Sequence, residues 1–143
     1  MREMNSGRIL LGGLMAGLIM NSSEAALHAG ILGDETGLLF EKFRIGIPDT
    51  VGNLLLFIFG TFVLGIVAVW LYAAMRPRYG AGPRTALIAG CTVWLLSHLW
   101  SGVYLGASYM GIITPRLARI PVFWGLLEAP LATIAGAAFY KEL

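Results

Sequence analysis

The chain has 143 residues, of which 57% are hydrophobic and 13% are charged, and its mean hydropathy is +0.76. A soluble domain usually carries about a quarter charged residues, so this composition excludes an ordinary soluble domain and predicts an integral membrane protein. The net charge of +2 and the lack of any block of like charges argue against a nucleic-acid partner. The single cysteine, Cys91, excludes an intramolecular disulfide.

Four apolar segments are long enough to cross a bilayer, since a spanning helix needs about 20 mostly apolar residues. They cover residues 9–32, 50–75, 85–110 and 120–140. The expected fold is therefore all-α, a single transmembrane domain over residues 1–143 built as a bundle of four helices. The first segment also has features of a signal peptide, but polar residues at 21–24 interrupt it. We expect it to be a retained helix.

The connection between the first two segments, residues 33–48, is the longest one. Within it, residues 35–44 mix apolar and charged side chains in a pattern typical of a short helix lying at the membrane interface. An ordered loop packed on the bundle would show the same pattern. Both interpretations stay open at this point.

The distribution of Lys and Arg predicts the orientation, because cytoplasmic loops are enriched in these residues. Six of them lie at the two ends of the chain or between the second and third segments: Arg2, Arg8, Arg76, Arg78, Arg84 and Lys141. The other two connections hold four: Lys42, Arg44, Arg116 and Arg119. Both termini are therefore expected in the cytoplasm, in a multi-pass protein of the cell inner membrane.

Glycines occur at helical spacing in two of the segments. Gly13 and Gly17 share one face of the first, and Gly102 and Gly106 share one face of the third. Helices pack closely in lipid where small residues let their backbones approach. These four glycines are therefore expected to pack helices, either within the bundle or between subunits.

Four ionisable residues lie inside the apolar segments, where each costs about 2.5–3.5 kcal/mol on insertion scales and so suggests function. At ~1.5 Å per residue, Glu24, His98 and Glu128 fall near the middle of the membrane. His28 lies one helical turn further out, and Asn53 lies a little beyond His28. The predicted polar site comprises Glu24, His28, His98, Glu128 and Asn53.

Several chemistries suit these side chains. Glu24, His98 and Glu128 form a ligand set for Zn, Fe or Mn. His28 and His98 could instead hold a b-type haem, although an estimated depth difference of ~10 Å fits one haem plane poorly. Without a cofactor, the same groups would form a proton relay or a polar substrate pocket. Buried hydrogen bonds that merely fasten the helices are the structural alternative.

Three stretches of the chain carry a resemblance to known proteins: residues 7–17 with Asn21 and Glu24, residues 70–80, and residues 124–132. They resemble a group of small four-helix bacterial membrane proteins that have no assigned activity. The resemblance covers most of the chain. It implies the four-helix architecture and a bacterial inner membrane, and it implies no particular chemistry.

Three classes of function are compatible with the sequence. The first is a bundle with a metal-binding or proton-handling site that acts on a small or lipid-soluble substrate, whether or not it is an enzyme. The second is a small transporter or channel, which at 143 residues would need a homo-oligomer to enclose a pathway. The third is an accessory subunit of a larger membrane complex. In each class the lipid bilayer is the surrounding partner.

Overall fold

The computed structural model describes residues 4–44 and 50–141. These residues form no β-strand and four helices: α1 (Ser6–Phe43), α2 (Thr50–Tyr79), α3 (Pro83–Ser108) and α4 (Pro115–Ala137). All four helices are long and apolar enough to cross a membrane. The all-helical fold with four candidate spans, predicted from composition and hydropathy, is thereby confirmed.

Each of two helices contains a five-residue π-helical segment, His28–Leu32 in α1 and Leu95–Leu99 in α3. A π-helix widens the turn by pairing residues five apart, and it occurs mostly as a single bulge that is frequent at functional sites. Both histidines of the chain, His28 and His98, lie in these segments. The sequence analysis gave no indication of either bulge.

Local sequence signals explain where the helices begin. The Asn5 side chain accepts a 3.1 Å hydrogen bond from the Arg8 backbone N–H and so caps α1. Thr114 caps α4 in the same way, with Pro115 in the first turn. Pro83 begins α3 after a turn in which Gly80 has φ 86°, a conformation that favours glycine.

The connection after the first segment is largely helical. The helix Gly33–Phe43 nearly coincides with the predicted helix over 35–44, and it follows directly on the π segment of α1. Its position at the membrane interface stays a prediction. Arg44 follows its last residue in a left-handed conformation with φ 49°. Residues 45–48 of the expected connection lie outside the described residues.

The C-terminal part of α1 is fastened to the start of α4. Glu35 Oε1 accepts a short hydrogen bond from the Thr114 hydroxyl, and Glu35 Oε2 lies 3.6 Å from Arg116 Nε. Since Thr114 also caps α4, one residue both begins that helix and holds the end of α1. This junction, which we call the Glu35–Thr114 latch, joins the C-terminal part of α1 to the start of α4.

The bundle interior is built largely from small residues, while large apolar side chains face outward. Ala16, Ala89 and Ala132 are fully buried, whereas Leu56 and Leu96 are strongly exposed. Lipid solvates an apolar exterior, so packing of small interior residues, and not burial of large ones, holds such helices together. The distribution is that of a membrane bundle.

The predicted glycine faces both contact helices of the same chain. A Cβ at Gly13 or Gly17 would collide with α2, where Gly65 in turn lies against the backbone of those two residues. Gly102 lies against Val122 of α4, and Gly106 is on the same side of α3. Gly13, Gly17 and Gly102 therefore make close helix contacts within the bundle, whereas a Cβ at Gly106 would meet only Ala118, at 4.0 Å.

Candidate functional site

Three helices bring Glu24, His98 and Glu128 to one point inside the bundle. His98 Nε2 lies 3.5 Å from Glu24 Oε1 and 3.9 Å from Glu128 Oε1. One ligand atom from each of the three residues lies within 4.8 Å of the other two. α1, α3 and α4 thus each contribute one group to a common centre, which we call the Glu–His centre.

The centre is buried, and it leaves one oxygen unsatisfied. The Glu128 side chain is 2% exposed, and its Oε2 has no hydrogen-bond partner among the residues that the structure describes. Leaving a buried acceptor unpaired costs about 1–3 kcal/mol, and more for a charged group. The Glu24 and His98 side chains are also largely buried. The arrangement therefore has an acceptor that a cation or a proton donor would satisfy.

The Ser97 hydroxyl determines that His98 Nδ1 is the nitrogen that donates to it. This hydroxyl donates to the Val93 backbone oxygen at 2.7 Å, so its oxygen is left to accept from His98 Nδ1, 2.9 Å away. A neutral imidazole with a proton on Nδ1 has a free lone pair on Nε2. His98 Nε2, the atom that faces both carboxylates, is therefore set up as a ligand, in the way that outer partners commonly orient metal-binding histidines.

His28 lies beside the centre and outside its three-residue group. Its Nδ1 is 3.0 Å from the Glu24 backbone oxygen and 3.3 Å from Glu24 Oε2. Because a carbonyl oxygen can only accept, Nδ1 is the donor. The His28 side chain is 54% exposed, in contrast to the buried His98. His28 therefore positions the Glu24 carboxylate from the surface of the bundle.

Two residues of α4 contribute to the site without having been singled out by the sequence. A Cβ at Gly125 would collide with the His98 ring, so only glycine leaves room for the imidazole there. Trp124 donates from its indole N–H to Ser23 Oγ at 2.8 Å, linking α4 to α1. Both precede Glu128 by about one helical turn, and this spacing is the signal that could have identified them.

A cavity of about 370 Å³ leads to the centre. The Glu–His centre and His28 form its polar part, and apolar residues of α1, α3 and α4, including Leu32, Leu105 and Leu117, line much of the rest. The volume lies at the low end of the ~300–1,000 Å³ of typical ligand sites. A small molecule could therefore reach the three ligands.

The structure brings together four of the five predicted polar residues. Glu24, His28, His98 and Glu128 line the central cavity. Asn53, in the first turn of α2, is exposed and does not line it. The prediction placed Asn53 by depth alone, and depth does not determine which way a side chain faces around a helix.

The geometry of the centre suits a small divalent ion. Zn–N and Zn–O bonds of about 2.1 Å at tetrahedral angles put ligand atoms ~3.4 Å apart. The two separations from His98, 3.5 Å and 3.9 Å, are close to that value, and the carboxylates of Glu24 and Glu128 lie within 4.8 Å of each other. Two carboxylates and an imidazole are also donors that Zn²⁺, Fe²⁺ and Mn²⁺ accept.

A b-type haem does not fit the two histidines. Glu24 is within 3.3 Å of His28 Nδ1 and 3.5 Å of His98 Nε2, so its carboxylate occupies the space between the rings. A porphyrin bound by both histidines would have to displace this carboxylate.

Comparison with protein families, with curated proteins and with solved structures found no match to this chain. The resemblance to small four-helix bacterial membrane proteins therefore stays an expectation. The chemistry of the site is argued from its own geometry.

Proposed function

We propose that this chain is a multi-pass protein of a bacterial inner membrane, with both termini in the cytoplasm, that binds a divalent transition metal at its Glu–His centre. Glu24, His98 and Glu128 are the protein ligands, and Zn²⁺, Fe²⁺ and Mn²⁺ are the candidate ions. The observation that carries the proposal is the buried Glu128 carboxylate, whose Oε2 has no hydrogen-bond partner in the described part of the chain although two further ligand groups lie beside it.

Charge balance supports a divalent ion at this position. Two carboxylates in a medium of low dielectric repel each other and lose their hydration, which is costly unless a positive charge compensates them. No Lys or Arg lines the central cavity among the described residues. A divalent cation would cancel both negative charges at one point, whereas His98 and His28 could cancel only one charge each and only when protonated.

The number of ligands suggests a reactive site. Structural zinc sites are usually closed by four protein ligands, whereas catalytic ones have three and keep an open position for water or substrate. The Glu–His centre supplies three, and the cavity lies next to it. We therefore propose that the open position meets a small or lipid-soluble substrate that enters the cavity.

Metal binding can be tested with a matched pair of variants, because His98 is a proposed ligand and His28 only contacts one. Purified protein, stripped with a chelator and titrated with Zn²⁺, is expected to bind one ion per chain. His98→Gln removes a ligand and should abolish stoichiometric binding. His28→Gln removes only the side chain that positions Glu24, so it should keep the stoichiometry and weaken affinity by about 10–100-fold, as outer-shell changes do.

The absorption spectrum of bound Co²⁺ gives a second readout, because it reports the coordination geometry and not only the affinity. The parent protein and His28→Gln should give the same type of spectrum, and His98→Gln should give none above free Co²⁺. Equal Zn²⁺ binding by the parent and His98→Gln would show that the centre is not the metal site.

A proton relay is the second candidate, because four titratable groups lie in a row. His28 Nδ1 lies 3.3 Å from Glu24 Oε2, and His98 Nε2 lies 3.5 Å from Glu24 Oε1 and 3.9 Å from Glu128 Oε1. The last two separations are longer than a hydrogen bond, so a proton would cross them through a water or after a side-chain adjustment. The row runs from an exposed side chain to a buried one. In vesicles with an internal pH dye, metal-free protein should carry protons and Glu24→Gln should not. Equal flux in both would remove this candidate.

A further inference from the structure

A second cavity opens between the end of α3 and the start of α4. Its volume is about 570 Å³. α3, α4 and the connection between them line most of it, and Lys42 reaches it from the end of α1. The large apolar side chains of its wall, Val103, Met110 and Ile112, are all exposed. We call this cavity the α3–α4 groove. In a bilayer it opens sideways to lipid, because exposed apolar side chains of spanning helices face the hydrocarbon.

The groove exists because α3 and α4 diverge toward their connection. A Cβ at Gly102 would collide with Val122, so the two helices touch at that level. About one turn later, a Cβ at Gly106 would meet only Ala118, at 4.0 Å. Both glycines line the groove. The gap between the helices therefore widens from Gly102 toward the connection, and it leaves space beside Gly106.

Two cations, Lys42 and Arg119, line the groove, and no Asp or Glu lines it in the described part of the chain. Among the described residues, the Arg119 side chain has no hydrogen bond or ion pair, and Lys42 Nζ interacts only with the Phe43 ring, whose centre is 5.4 Å away. Arg116, by contrast, has its Nε 3.6 Å from Glu35 Oε2. The two positive charges of the groove are therefore left for a ligand.

Both cations lie at the ends of spanning helices, where lipid headgroups are expected. Lys42 is the residue before the last one of α1. Arg119 lies four residues after Pro115, the first residue of α4, which is ~6 Å along the helix axis. Long basic side chains near helix ends reach the headgroup layer while their stems stay on apolar surface. Charge and depth together favour an anionic group attached to an apolar chain.

We propose that the α3–α4 groove binds one anionic phospholipid, whose phosphate contacts Lys42 and Arg119 and whose acyl chain lies along the apolar wall beside Gly106. Basic pockets between spanning helices bind such headgroups. A zwitterionic lipid would also bring an ammonium group, for which the groove offers no acidic side chain among the described residues. This inference goes beyond metal binding, and neither cation lines the cavity of the Glu–His centre.

Native mass spectrometry of the detergent-solubilised, chelator-treated protein measures lipid binding directly. Phosphatidylglycerol and phosphatidylcholine with the same acyl chains are titrated, because they differ only in headgroup and net charge. The parent protein should retain one phosphatidylglycerol per chain at saturation. It should bind this lipid about 10–30-fold more tightly than phosphatidylcholine, since each basic side chain contributes about fivefold to the affinity for an anionic lipid.

Three variants and a matched control localise the binding. Lys42→Gln and Arg119→Gln should each reduce the preference for phosphatidylglycerol about fivefold. Arg84→Gln removes the same charge from an exposed position at the start of α3, outside the groove, and should bind as the parent does. Gly106→Leu keeps every charge and fills the space beside α3, so it should weaken phosphatidylglycerol binding through the chain. Thermal unfolding checks that each variant is folded.

Equal affinity of the parent protein for the two lipids would overturn the inference, as would equal losses of affinity in Arg84→Gln and Arg119→Gln. Glycerol 3-phosphate has the phosphate and no acyl chain, so it should not displace the lipid even in large excess. Displacement would indicate a site for a free phosphate compound and would overturn the assignment to a lipid.

Zn²⁺ binding is measured on the same variants, so that the lipid and metal proposals fail separately. Lys42 and Arg119 line a different cavity from the Glu–His centre. Lys42→Gln and Arg119→Gln should therefore keep the Zn²⁺ affinity of the parent protein while they lose the lipid preference. A lost lipid preference in the parent with intact Zn²⁺ binding would refute the lipid site alone, and the reverse would refute the metal site alone.

Discussion

Glu24 Oε1 lies 3.5 Å from His98 Nε2, a contact that joins α1 to α3 inside the bundle. Glu128 completes the group from α4. Three helices therefore meet at two carboxylates and an imidazole, which are expensive to bury. Packing of the helices alone would not require such groups. Substitutions that separate the cost of burial from ligand chemistry are thus the most informative ones.

Glutamine in place of Glu24 or Glu128 should separate the cost of burying a carboxylate from its role as a metal ligand. Glu24→Gln and Glu128→Gln keep the size and much of the hydrogen bonding of the side chain and remove its charge. Without metal, both variants should be as stable as the parent or more stable, because a neutral amide is less costly to bury than a carboxylate. Thermal unfolding in detergent measures this.

With Zn²⁺ present, the parent protein should be more stable than the Glu24→Gln and Glu128→Gln variants. A ligand at 100 times its dissociation constant stabilises the folded state by about 2.7 kcal/mol, so Zn²⁺ should raise the Tm of the parent and not that of either variant. Glu41→Gln, at an exposed position of α1, is the control and should behave as the parent does. Variants that keep the Zn²⁺-dependent rise but lose basal stability would identify the carboxylates as packing residues.

Gly125→Ala should disturb the Glu–His centre although it leaves all three ligand side chains unchanged. The added Cβ collides with the His98 ring, so the imidazole must move and Zn²⁺ affinity should fall about tenfold or more. Gly106→Ala is the matched change, since its Cβ would make only an ordinary contact 4.0 Å from Ala118. The same affinity in both variants would mean that the position of His98 is not set by Gly125.

Two glycines of α2 test the packing of α1 against α2. A Cβ at Gly65 meets the backbone of α1, which cannot yield, so Gly65→Ala should destabilise the bundle by about 1–3 kcal/mol. Gly60 has no atom within 4 Å of such a Cβ, and Gly60→Ala should stabilise the helix by up to ~1 kcal/mol. Opposite shifts in the unfolding free energy are the expected result, and equal shifts would contradict the close approach.

The Glu35–Thr114 latch should show coupling in a double-mutant cycle. Thr114→Val removes the hydroxyl that donates to Glu35 and caps α4, at a cost of about 1–2 kcal/mol. Combined with Glu35→Gln, the two changes should be non-additive by about 0.5–1.5 kcal/mol. Thr114→Val combined with Glu41→Gln should be additive, because Glu41 is exposed and outside the latch.

The proposed orientation predicts the side of the membrane on which a reporter appears. Alkaline phosphatase joined after residue 143 should be inactive, and green fluorescent protein at the same place should fluoresce, because both indicate the cytoplasm. A phosphatase fusion ending at Ile112, between α3 and α4, should be active. Activity at residue 143 and none at Ile112 would reverse the proposed orientation.

Part of this protein could be read directly from its sequence. The four spans follow from long apolar segments, because a helix must satisfy its own backbone in lipid and hydropathy records that requirement residue by residue. The residues that do not belong in lipid, Glu24, His98 and Glu128, stand out for the same reason. Their common depth followed from counting ~1.5 Å per residue.

The remaining features depend on how the helices turn and pack against one another. The rotation of a helix about its axis determines which way a side chain faces. It brings Glu128 toward His98 and leaves Asn53 out of the cavity lining. The sequence gives the depth of a residue but not this rotation. The room that Gly125 leaves for His98 matters only once α3 and α4 are in contact, and the π segments change the rotation of their helices locally. Composition and periodicity thus determined the bundle and its polar residues, and packing between helices alone decided which of those residues meet.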